Sequence, residues 1–313
     1  MTSYALAITG PTASGKTGLA IRVARRLGGE IVSMDSRQVY RGMDIGTAKA
    51  TPAERAAVPH HGLDLVDPDQ RYSAGAFARD ARRWLDEIRG RGRVPILVGG
   101  TGFFLRALTH PLFLEPQLEP ARRERLKGWL AARPEPELRT WLGRLDPPTA
   151  AALASAGGRQ RVARALEVAL LSGRPLSWWH AHALPEERPL AVMVFVLDLP
   201  RAELYRRIDE RVRGMVEAGL EREVRDLLAR FGHHAPGLDA TGYIEWLPYL
   251  RGETSLDAAV DAIQRATRRY ARRQLTWLRH QLPAPARHLD GLRPPDELAD
   301  EVVRAWREEE DRP

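Results

Sequence analysis

Cysteine is absent from the 313 residues, and that absence removes three chemistries at once: disulfides, thiolate nucleophiles and thiolate-held zinc. Long apolar runs are missing too. No stretch approaches the roughly eighteen apolar residues a spanning helix needs, and the opening MTSYALAITG has no charged region ahead of an apolar one. The chain is therefore expected to be soluble and cytoplasmic, with no membrane partner, acting as a monomer. Lysine is scarce. Lys16, Lys49 and Lys127 are the three lysines among 48 basic residues, so the net charge of +7 is carried by arginine. Arginine's planar fork suits phosphate and stacks on bases, but a genome rich in arginine codons gives the same total. Clustering, not the total, must carry any argument for nucleic acid. The histidine pairs His60-His61 and His233-His234 are sequence neighbours whose side chains diverge on a helix or strand, which disfavours a shared metal.

What is present begins with GPTASGKT, residues 10–17. Gly10, Pro11, Thr12, Ala13, Ser14, Gly15, Lys16 and Thr17 fit G-x-x-x-x-G-K-[ST] between a short apolar run, YALAIT, and a helical period over 16–27. In that context backbone amides and a helix N-terminus cradle two linked phosphates, Lys16 adds charge and the Thr17 hydroxyl is a ligand for Mg²⁺. The motif names neither the acceptor nor the reaction, and whether a nucleoside triphosphate also enters the loop stays open. EIVSMD reads as a second strand closed by Asp35, HGLDLVD as a third, 73–89 as a helix, and RVPILVGG as a buried strand leading to Thr101. Alternation of this kind predicts an α/β fold, a phosphate-loop core with a parallel sheet covered by helices.

Asp35 should then lie near the bound phosphates, where a carboxylate is costly unless it holds Mg²⁺ through water, accepts a proton from a nucleophile, or merely closes a turn. Gly99 stands where nucleotide hydrolases usually carry an acid, and Asp67 is the alternative acid. From about residue 115 to 187 the strand signal gives way to arginine, proline and helical periodicity, until LAVMVFVLDL restores a buried strand. The expected organisation is a core over 1–114 and 189–313, ending in PAPARHLD as a last strand and a terminal helix, interrupted by an all-helical insertion over 115–188. Arg211 flanks the apolar stripe Leu204, Ile208, Val212 and Met215, a place that calls for a nearby anion, either a diphosphate or an ordinary carboxylate. Arg268, Arg272, Thr276 and Arg279 make a basic stripe on one helix, with Tyr270 and Trp277 displaced from it. Trp178-Trp179 suits either base stacking or helical packing. A phosphoryl-transferring kinase explains the loop but not the arginines, and a non-catalytic RNA-binding protein explains the arginines but not the loop.

GPTASGKT, DSRQVYRGMDIGTAK, VPHHGLDLVDPDQRYSAGAF, VPILVGGTGFFLRAL, QRVARALEV, RVRGMVEAGLEREV, ATGYIE and TRRYARRQLTWLR occur in order over most of the chain. Together they resemble the bacterial tRNA dimethylallyltransferases. The resemblance implies transfer of a dimethylallyl group from its diphosphate to the exocyclic amine of the adenine following the tRNA anticodon, with Mg²⁺, and an insertion that grips the anticodon stem-loop. It implies that Asp35 aligns the amine and takes its proton, that Thr101 contacts the reacting centre, and that Arg211 meets the diphosphate. It further implies tRNA contacts at Asp35, Ser36, Arg37, Gln38, Thr101 and Arg123, and along Arg159, Gln160, Arg161, Val162, Ala163 and Arg164. Departures from the family pattern include Phe103-Phe104 in place of a leucine-tyrosine pair, Ile244 in place of lysine, and no aspartate before Arg159.

Overall fold

Six parallel strands form one sheet in the order β3-β2-β4-β1-β5-β6, built from β1 (Tyr4–Thr9), β2 (Glu30–Ser33), β3 (His60–His61), β4 (Pro95–Gly99), β5 (Ala191–Asp198) and β6 (Ala286–Asp290). The computed structural model describes residues 4–110, 118–155, 158–182, 188–282 and 285–311. Strands β2 and β4 are buried at every position, as expected of parallel strands covered on both faces. On one face α1 (Lys16–Leu27) packs Leu19, Ala20 and Val23 against the sheet and against Leu298, Val302 and Trp306, which lie near the C-terminus. α2 (Pro52–Ala57), α3 (Ala74–Gly90) and α4 (Gly102–Thr109) complete the first part of the core. After β5 come α10 (Arg201–Glu217), α11 (Leu220–Phe231), α12 (Leu247–Leu250), the long α13 (Leu256–Gln281) and α14 (Pro295–Glu310).

The chain divides into two compact units, Met1–His110 with Pro189–Pro313, and Pro111–Arg188. The boundary expected at 114/115 lies outside the described residues. The second unit is helical, with α5 (Pro120–Ala131), α6 (Glu135–Leu145), α7 (Pro147–Leu153), α8 (Arg159–Ser172) and α9 (Leu176–His182) around Leu130, Leu138, Leu142, Val162, Ala165 and Leu166. Among the described residues no helix is long and apolar enough to cross a membrane.

Two expected strands differ. HGLDLVD is not a strand, because β3 stops at His61. Gly62 turns at φ 81° and Asp64 at φ 55°, and Asp64 instead receives the ammonium of Lys49 at 2.7 Å and the guanidinium of Arg55 at 2.8 Å. Lys49 is buried, so its charge draws in Asp44 and Asp64 and the carbonyl of Tyr40, and that network overrides the apolar alternation of the segment. β2 ends at Ser33, which leaves Asp35 in the loop after it. Met34 still donates to Val98 O at 2.7 Å, but the Asp35 carboxylate accepts Arg37 N–H at 2.8 Å and turns the chain away.

Candidate active site

Three adjacent strands, β1, β4 and β2, deliver the expected loops to one edge of the sheet: residues 10–17 follow β1, Thr101 follows β4 and Asp35 follows β2. Ligands of parallel sheets bind outside the carboxyl ends of the strands, and the order here explains why segments far apart in sequence meet. Gly15 begins α1 at φ 95°, and Ala13 is held at φ 63°, a left-handed conformation that a side-chain-bearing residue keeps only under constraint. Successive amides in such a turn form an anion-binding concavity. No side chain caps α1 and no acid lies in its first turn, so the positive helix end is left for an outside anion.

A cavity of about 220 Å³ opens in front of the loop and is lined by Thr12, Lys16, Thr17, Asp35, Arg211 and Gly99, among others. Lys16 touches the protein through Pro11 O at 3.1 Å, and its pKa is lowered to about 8, first by burial and then by Arg211, with Asp35 opposing. Arg211 reaches Thr12 Oγ1 at 3.5 Å and forms no ion pair with a carboxylate among the described residues. An arginine and a lysine facing one cavity without carboxylate partners is the arrangement expected of an anion site, and it favours the diphosphate reading of Arg211. Gly99 cannot carry an acid, since a Cβ there would lie 2.1 Å from Met34 O. Asp67 instead pairs with Arg41 at 3.3 Å and is not part of the cavity lining.

Thr101 Oγ1 accepts Ser36 N–H at 3.2 Å, which ties the β4 loop to the Asp35 loop. Two of the residues expected to touch RNA beside Asp35 are engaged within the protein. Arg37 donates to Asp239 O at 2.8 Å and to Pro236 O at 3.3 Å. Gln38 accepts from Ser33 Oγ at 2.9 Å and donates to Thr47 O at 3.1 Å, so both amide ends hold the loop. The same loop is pinned further along by Glu223, whose carboxylate accepts the amides of Asp44, Ile45 and Gly46 and the hydroxyl of Tyr243. Phe104 is buried and stacks on Phe77 at 4.1 Å, whereas Phe103 is exposed.

Several cavity residues, among them Glu54, Tyr270 and Gln274, are not anticipated from the sequence. Tyr270 and Gln274 lie one turn apart on α13 and both line the cavity. Their spacing, continued by Trp277, makes an inward face of α13, while Arg272 and Arg273 between them are exposed. Of that basic stripe, Arg272, Thr276 and Arg279 are exposed, while Arg268 grips Asp209 at 2.6 and 2.7 Å between α10 and α13.

In the helical unit, Arg123 pairs with buried Glu167 at 2.6 Å, and Arg164 shares the same carboxylate. Arg159 donates to Leu130 O and Ala131 O, both at 2.8 Å, closing the end of α5. Val162 is wholly buried and Ala163 half-buried, whereas Gln160 and Arg161 are exposed. Trp178 and Trp179 meet edge to face at 5.2 Å, with Trp179 Nε1 donating to Ser172 Oγ at 3.0 Å.

Residues 38–281 match the family model described as IPP transferase, and residues 3–65 that described as isopentenyl transferase. A tRNA dimethylallyltransferase of Anaeromyxobacter dehalogenans strain 2CP-C is 49% identical over 274 residues, 88% of this chain and 91% of that protein. A crystal structure of the full-length tRNA isopentenylpyrophosphate transferase from Bacillus halodurans aligns with a TM-score of 0.72 at 37% identity, covering 98% of this chain and 96% of its own. A eukaryotic dimethylallyltransferase, captured in crystallographic snapshots acting on tRNA, aligns with a TM-score of 0.79 at 25% identity over 97% of this chain and 77% of its own.

Proposed function

The chain belongs to the IPP transferase family, whose reaction moves a dimethylallyl group onto tRNA, and we propose that the acceptor here is the exocyclic amine of the adenine following the anticodon. The observation that carries the chemical reading is the single cavity shared by the glycine-rich loop, Lys16, Arg211 and Asp35. The cradle holds a diphosphate that leaves, so no phosphoryl group moves. The allylic C–O bond breaks as charge builds on the diphosphate, and the loop amides, Lys16 and Arg211 neutralise that charge. The adenine nitrogen forms the new bond to carbon, and its proton passes to the Asp35 carboxylate. Thr101, fixed by Ser36, borders the reacting centre. A stacked base cannot reach this cavity, so the adenine is turned out of its loop.

Magnesium fits the donors present. The Thr17 hydroxyl lines the cavity at the first turn of α1 and has no hydrogen-bond partner among the described residues. No group of three or more acidic or histidine side chains gathers there among the described residues, so the ion would be held by Thr17, water and the diphosphate oxygens, with Asp35 within the same cavity. When bound, it supplies further positive charge to the leaving diphosphate. The tRNA side of the proposal assigns phosphate contacts to Arg123, Arg161 and the exposed arginines of α13.

The test is a reaction of dimethylallyl diphosphate, Mg²⁺ and unmodified tRNA. Mass spectrometry of the digested tRNA should show a dimethylallyl shift on that adenosine with one diphosphate released per transfer. ATP should be neither required nor cleaved, and free AMP should be a poor acceptor because it lacks the binding that orients the base. A phosphoryl shift, or none, rejects the reading.

A further inference from the structure

The residues that bind the leaving group and those that meet the acceptor sit on separate loops, and the reaction requires a fixed distance between them. Helix α13 touches both. Gln274 is buried, its Oε1 accepts Thr12 N–H at 2.8 Å, and its Nε2 donates to Gly100 O at 2.9 Å. A backbone amide can only donate and a carbonyl can only accept, so one orientation of the side-chain amide satisfies both loops. The packing is close. A Cβ on Gly100 would lie 2.3 Å from Gln274 Nε2, and one on Gly102 would lie 2.1 Å from the ring of Trp277. One turn before Gln274, Tyr270 lines the same cavity. Its pKa is pushed up to about 12 by burial and by the Asp35 carboxylate, so the phenol keeps its proton and does not compete with Asp35 as a base.

We propose that Gln274 is a positioning residue that sets the spacing between the leaving-group loop and the Thr101 loop. This rests on the transfer reaction proposed above and adds to it a part of the machinery outside the glycine-rich loop and Asp35. The Gln274 side chain need not touch the reacting atoms. It acts by holding two loops that do.

A misaligned site should show itself in product partition. When the allylic C–O bond breaks without an aligned amine, a water oxygen bonds to that carbon, a proton passes to solvent, and dimethylallyl alcohol and diphosphate result. Gln274→Met keeps the volume and removes both hydrogen bonds. It should lower kcat for transfer about 100-fold while KM for dimethylallyl diphosphate and for tRNA shifts less than about threefold. Diphosphate release should then exceed prenylated adenosine, where the wild type gives one to one. If Gln274→Met does not fold, Gln274→Glu, which keeps the Thr12 acceptor and drops the Gly100 donor, takes its place in the same measurement. A folded variant with wild-type kcat overturns the proposal. So does a loss of rate in which diphosphate and prenylated adenosine stay one to one, since that reports fewer active molecules and no misalignment. Failure of the wild type to prenylate tRNA would instead reject the underlying reaction.

Discussion

The cavity of the first unit and the helices of the second both display arginine or lysine, yet their charges are disposed in opposite ways. In the cavity, Lys16 and Arg211 meet a carbonyl and a hydroxyl and form no ion pair with a carboxylate among the described residues. In the helical unit, Arg123 and Arg164 converge on Glu167, Arg139 pairs with Glu135 at 2.7 Å, and Arg159 closes a helix end. On the proposed function, charge in the first place awaits an incoming anion, whereas in the second it builds the fold. Whether a cation is paired therefore says more about where phosphate binds than how many cations are nearby.

The largest effect is expected at the acid in the cavity. Asp35→Asn should reduce single-turnover transfer by about 10² to 10⁴, with tRNA affinity within about threefold, if the carboxylate takes the amine proton. A variant that keeps more than about a tenth of the rate removes Asp35 as the base. Lys16→Met should cost about 10² to 10³ in the same assay through lost charge at the leaving group, again with tRNA bound.

The protonation of Lys16 should set the pH dependence of substrate binding. Lys16 sits near 8 in the free enzyme, so it is charged below that pH and neutral above it. kcat/KM for dimethylallyl diphosphate should fall above pH 8, by about tenfold per unit if the charged form alone binds. Bound diphosphate favours the ammonium, so the fall in kcat should begin at higher pH. In Lys16→Arg the break near pH 8 should vanish; if it persists, another group is responsible.

The smallest effects belong to the helical unit. Arg123→Ala should weaken tRNA binding and flatten its log-log salt dependence by about one unit, leaving affinity for the diphosphate substrate unchanged. Glu167→Gln should act in the other direction on binding, because Arg123 and Arg164 lose the carboxylate that competes with RNA phosphate. It should also lower the stability of the protein by about 2 kcal/mol through the lost charged hydrogen bonds. An unchanged salt slope in both variants would show that these arginines serve the fold alone.

Much of the site was legible because its chemistry depends on contiguous residues. The loop at 10–17 is one motif, and the end of a parallel strand is where Asp35 and Thr101 had to stand. The helical unit was legible from its change of periodicity. What escaped was decided by distant partners. Lys49 turned an apolar alternation into a loop, because a buried ammonium must gather carboxylates from elsewhere. The resemblance assigns Arg37 and Gln38 to tRNA contacts, but their acceptors lie on residues 236–239 and 47–48, which no local pattern reveals. Tyr270 and Gln274 share a helix face whose meaning depends on which loops it meets. Phe104 illustrates the reverse case, a position given significance by resemblance and occupied by ordinary aromatic packing.

The pinning of the Asp35 loop has a consequence for synthesis. Glu223 holds Asp44, Ile45 and Gly46 from 177 to 179 positions downstream, and Gln274 holds Thr12 from 262. A growing chain that has emerged only through Thr109 carries every residue of the signature loop but neither Glu223 nor Gln274. Local elements form early and long-range contacts late, so the anion cradle should mature only after α13 has left the ribosome. Truncation before Gln274 should thus yield a chain with the motif and without the enzyme.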